Sequence, residues 1–219
     1  MTSESNAALP QNTFTLSVPI TDAEGNSWTS LTLREPTLRD QAAVQRRTSA
    51  TGTEQTAQLL SILSGVPESA VRRLKTRDAR RMQKWERLLV ADAIEKDVAA
   101  DDPTADLAPY RTFVLASPIQ TDTGALTEIT VREPDLEAGI AIEKFKTTAE
   151  QTAAMLSALS GHPIPVVMRL AARDVARIER WLSFFSTDGE DSPSEEEKNN
   201  ASGEAAPAGE TLPSSSPGN

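Results

Sequence analysis

The chain has 219 residues, no cysteine, one histidine and a formal net charge of −10. Such a composition excludes disulfide staples, thiolate chemistry and a Cys/His zinc site, and the length allows one domain or two small ones. The charge is uneven: residues 187–219 hold eight acids against one lysine, a net of −7, while residues 1–186 hold 24 acids against 21 bases.

Residues 1–12, MTSESNAALPQN, have neither the basic flank nor the apolar core of a signal peptide and are expected to be disordered. TFTLSV, from Thr13, alternates apolar and polar residues as a half-buried strand does, and Pro19 is expected to stop it or mark an edge. Gly25 lies in a polar loop before a return strand, WTSLTLRE, which Pro36 ends. Thr37, with Asp40 three residues on, is a helix N-cap signal, so a first helix is expected over about Leu38–Arg47. Next comes EQTAQLLSILSG, Glu54–Gly65, with leucines at helical spacing, glycine in the C-cap position and Pro67 beyond. A last helix is expected from Asp78 to about Ala91, with Ala79, Met82, Trp85 and Leu89 as its apolar stripe.

After a loose, acidic and proline-containing segment at 92–111, which can begin as a helical extension, the same order recurs. TFVLASPI at Thr112 answers TFTLSVPI at Thr13, ITVREPDL at Ile129 answers LTLREPTL at Leu31, and Pro118 and Gly124 stand where Pro19 and Gly25 stood. Asp135 replaces Thr37 as the N-cap, and a helix is expected over about Leu136–Lys146. EQTAAMLSALSG, from Glu150, is identical to its counterpart at nine of twelve positions. A last helix, Asp174–Phe185, carries Val175, Ile178, Trp181 and Phe185 on one stripe, so Trp85 and Trp181 are expected in equivalent buried sites. The offset between copies falls from 99 to 98 to 96, with the missing residues between matched blocks, where loops tolerate deletion. The expectation is an α+β protein of two similar small modules, 13–91 and 112–186, each a β-hairpin followed by about three helices and joined by a linker at 92–111. Residues 187–219, rich in Ser, Pro, Gly and Glu with Leu212 as the one large apolar side chain, are expected to be disordered.

Catalytic chemistry finds little support. His162 sits between Gly161 and Pro163, reads as an exposed loop residue and has no evident partner; no second histidine supplies a metal set, and no glycine-rich loop joins a strand to a helix. Glu35 and Glu133, beside Arg34 and Arg132, fit local ion pairing or charge placement at a helix start better than acid–base work. No apolar run reaches the ~20 residues needed to span a bilayer. A binding protein without cofactor or metal is expected. Its candidate partner-binding residues are the bases of the last helices, Arg77, Arg81 and Lys84 in the first copy and Arg173, Arg177 and Arg180 in the second. Both sets fall roughly opposite the apolar stripe, as a solvated face or as a docking face for an acidic partner. The near-neutral body, acidic tail and sparse aromatics argue against nucleic acid.

The succession of a "LTLREPT" strand exit, a polar helix, an "LLSxLSGxP" block and a basic amphipathic helix resembles the tail assembly chaperone family of contractile-tailed phages and Mu-like or P2-like prophages. The resemblance covers 13–89 and again 112–185. It implies a helper without enzyme activity, absent from the finished virion; the lack of a signal peptide, of a membrane span and of cysteine sets the expectation of the bacterial host cytoplasm. It also implies that the helper binds the tape-measure protein, with the tail-tube subunit as a second candidate. A structural tail or baseplate component retained in the particle is the alternative. The sequence assigns no oligomeric state.

Overall fold

Alternating apolar residues build the first hairpin. In the computed structural model, which describes residues 11–47, 49–100 and 108–185, β1 (Gln11–Thr21) pairs antiparallel with β2 (Ser27–Arg34), burying Phe14, Leu16, Ile20, Leu31 and Leu33 on one face. The strand starts at Gln11, so the last two residues expected to be disordered belong to the sheet. Residues 1–10 and the acidic tail, 187–219, lie outside the described residues. Pro19 does not end β1. The ladder instead jumps from Thr15↔Ser30 to Ile20↔Trp28, a bulge that takes up a residue with no N–H to donate.

Four helices follow: α1 (Leu38–Gln45), α2 (Gly52–Ser64), α3 (Glu68–Val71) and α4 (Thr76–Ala100). Thr37 caps α1, and its N–H and hydroxyl both donate to the Asp40 carboxylate at 2.8 Å. Thr51 and Glu54 form a reciprocal capping box on α2, and Gly65 ends α2 at φ 70°, a left-handed conformation that costs glycine little. The one-turn α3 was not expected, and α1 stops two residues short of Arg47. The segment read as a linker at 92–111 is helix through Ala100, because α4 runs without a break into it.

The second half repeats the order: β3 (Tyr110–Thr121), β4 (Gly124–Arg132), α5 (Leu136–Ile142), α6 (Thr148–Ser160), α7 (Ile164–Val167) and α8 (Ala172–Ser183). Its hairpin has the same bulge, between Val114 and Ile119 around Pro118. Asp135 caps α5 by accepting from the Ala138 N–H at 2.8 Å, and Gly161 ends α6 at φ 73°. Helix α5 ends four residues before Lys146.

The two halves differ in where the first helix goes. Leu38 and Ala42 of α1 are buried in the core of the second half, with Phe113, Ala153, Leu156, Leu170 and Trp181. Backbone bonds fix the join: Leu38 N–H to Leu170 O (3.0 Å), Arg39 N–H to Met168 O (2.8 Å) and Ala172 N–H to Pro36 O (2.9 Å). The corresponding residues of α5 cover nothing: Leu136 is 88% exposed and Ile140 67%, against 1% for Leu38 and 2% for Ala42. The tryptophans diverge too. Trp181 is fully buried, whereas Trp85 is only partly buried at the edge of the first core, though each meets a strand phenylalanine edge-on, Phe113 at 6.1 Å and Phe14 at 6.0 Å.

Candidate functional site

Helix α4 opens with a carboxylate and then a run of bases. Asp78 in its first turn accepts from the Ser17 N–H (3.0 Å) and hydroxyl (2.6 Å) inside the β1 bulge, which anchors the helix to the sheet. With that face held and Met82 buried, Arg77, Arg81 and Lys84 are left exposed. Arg81 also reaches the Thr15 carbonyl at 3.3 Å and lies 3.6 Å from Asp78. These three bases form an open positive face.

The matching bases of α8 are placed differently. Arg173 Nε lies 3.1 Å from Glu35 Oε2, where it joins the two halves. Glu35 is buried, and desolvation raises its carboxyl above the usual range although the Arg173 charge opposes the shift. Arg177 donates to Asp97 from Nε (3.0 Å) and Nη2 (2.8 Å), reaches the Val114 carbonyl (3.0 Å) and lies 3.3 Å from Asp174. Arg173 and Arg177 are thus largely spent on internal pairs. Arg180, half-buried, stacks over Phe184 at 5.8 Å. One open basic face exists on α4, and α8 has become part of the joint. The matched bases alone do not separate the two helices; the difference comes from Glu35, just past β2, and Asp97, near the end of α4, both distant in sequence from α8.

Beside the open face lies a groove of about 360 Å³ between α2 and the α3–α4 corner. Ala57, Leu60, Val71, Leu74 and Ala79 line it, and Arg72 and Arg80 stand among its lining residues. The pairs singled out beside the strand exits do not form as neighbours: Arg34 pairs with Asp40 at 2.6 Å and Arg132 with Asp135, while Glu133 is exposed. His162 is half-buried rather than exposed, with its carbonyl accepting from the Ser157 hydroxyl at 2.7 Å. Among the described residues no group of three or more His, Cys, Asp or Glu could hold a metal ion, and no helix is long and apolar enough to cross a membrane.

Residues 13–89 match the family model described as phage tail assembly chaperone proteins, E, or 41 or 14. No curated protein and no solved structure matches the chain.

Proposed function

We propose, from the match of residues 13–89 to the phage tail assembly chaperone family model, that this protein binds unassembled tape-measure protein and keeps it soluble until the tail forms. The family match over 13–89 is the observation that carries the reading. The tail-tube subunit is a second candidate partner. The protein acts by binding rather than by catalysis, works in the cytoplasm of the bacterial host and is left behind when the virion is complete. Arg77, Arg81 and Lys84 supply the grip; they present positive charge beside an apolar groove, a combination suited to an amphipathic helix with an acidic edge. Arg180 extends the grip in the second half, while Arg173 and Arg177 hold the chain together. We read the second half as a tandem copy of the first, on the strength of the repeated blocks and the repeated order of elements.

Co-expression with the tape-measure protein of the same phage tests the reading, comparing the intact chain with the triple variant Arg77→Gln, Arg81→Gln, Lys84→Gln. The intact chain keeps the partner soluble and co-purifies with it. The variant folds, binds more weakly and loses less affinity when salt is added, because the screened contacts are gone. Equal binding by both would remove the basic face from the account. Mass spectrometry of purified virions should not detect the protein; stoichiometric presence there would favour a structural component.

A further inference from the structure

The geometry points to head-to-tail self-assembly, in which α5 of one copy inserts Leu136 and Ile140 into the α2–α4 groove of the next copy. The template is the joint within the chain. In the second half, the groove between α6 and the α7–α8 corner is filled by Leu38 and Ala42 of α1. The same groove in the first half is open, and the helix corresponding to α1 in the second half, α5, has its two counterpart side chains in water. A donor without an acceptor stands at one end of the molecule's repeat, and an acceptor without a donor at the other.

The polar contacts of the internal joint have chemical counterparts on these open surfaces. Glu35 with Arg173, at 3.1 Å, becomes Glu133 of one copy with Arg77 of the next. Arg46 with Glu150, at 2.8 Å, becomes Lys144 with Glu54. Gln45, whose side-chain oxygen accepts from the Ala149 N–H at 2.9 Å, becomes Glu143, an acceptor again, facing the N–H of Thr53. The three backbone bonds of the joint need no particular side chains, and Pro36, whose carbonyl accepts one of them, is matched by Pro134. Volume is matched as well: Ile140 is larger than Ala42, and the open groove carries Ala79 where the filled one carries Val175. A copy supplies both surfaces, so the contact is heterologous and propagates into a ring or an open chain. The α2–α4 groove and Arg77 are also the surface assigned above to the partner, so self-assembly and partner binding compete for it.

Sedimentation velocity of the full chain, over micromolar to near-millimolar concentrations, tests it. The wild-type protein grows beyond a dimer as concentration rises. Leu136→Asp with Ile140→Asp removes the donor, and Ala57→Trp blocks the acceptor; each variant, folded by circular dichroism, stays monomeric alone. Mixed at equal concentration, they form a 1:1 dimer and stop there, because one intact donor meets one intact acceptor. Should Ala57→Trp not fold, Ala57→Arg takes its place. Arg77→Glu weakens the association by ~10-fold or more, and adding Glu133→Arg to the same chain restores it. A wild-type chain that stays monomeric throughout overturns the proposal. So do variants that associate like the wild type, a mixture that gives no dimer, or a charge reversal that is not rescued. A second class of occupant, a partner helix in the groove, would show as wild-type monomers that bind the partner and lose it on Ala57→Trp.

Discussion

Asp78 and Asp174 occupy matching positions at the starts of α4 and α8, and both plug a strand bulge, yet their carboxyls shift in opposite directions. The Ser17 hydroxyl and N–H hold Asp78 below the usual carboxylate range despite some burial. Burial pushes Asp174 up, because Ala116 offers an N–H but no hydroxyl, and Arg177 compensates only in part. A lowered folded pKa gives stability that is present above the unfolded value of ~3.9 and lost as pH falls through the folded pKa. A raised one gives stability that is present below ~3.9 and lost as pH rises through the folded pKa. Urea unfolding between about pH 3 and 7 should therefore show the cost of Asp78→Asn shrinking on acidification and that of Asp174→Asn growing. Slopes of the same sign would contradict this. Trp181→Ala should cost ~3–5 kcal/mol, since the ring is fully buried between Phe113 and Phe185, whereas Trp85→Ala should cost less because part of its ring is already in water. The apolar stripe located both tryptophans; how deep each sits depends on what covers it, which periodicity does not record.

Helices α1 and α5 begin with the same strand exit and similar apolar spacing, but one is buried and the other bare. Leu38→Ala should cost ~2–5 kcal/mol, because it opens a cavity in the core of the second half. Leu136→Ala in the monomer should stay within ~0.5 kcal/mol of wild type, as expected for a surface position. Equal losses at the two sites, measured by denaturant unfolding at low protein concentration, would show that α5 is covered by its own chain. The caps, the glycine helix ends and the order of strands and helices were legible in the sequence because each rests on chemistry within a few residues. Thr51 and Glu54 were legible in principle too, as a capping box with threonine three residues before glutamate. The one-turn helices α3 and α7 were not, since four residues carry no period. Nor was the destination of α1, because an amphipathic pattern says that a face is buried and not against what.

At the scale of the whole molecule, the joint between the halves turns a repeated sequence into an asymmetric object. The bases of α8 close the joint through Glu35 and Asp97, and those of α4 remain open. A fragment of residues 108–185 lacks Leu38 and Ala42 and should unfold at lower urea than the full chain, with addition of a peptide spanning α1 raising its midpoint. An unchanged midpoint would mean that the second half is complete without α1. The candidate binding residues were legible as a positive helix face, but their division into open and internal sets was not, because it depends on acids that packing brings from elsewhere. The functional claim rests on the family match over the first half. Its most direct test is the soluble yield of tape-measure protein expressed with and without this chain. The account predicts that the tape-measure protein is insoluble alone and recovered in a soluble complex when co-expressed. A partner that stays insoluble in the presence of folded, abundant chain, with no complex on purification, would contradict it.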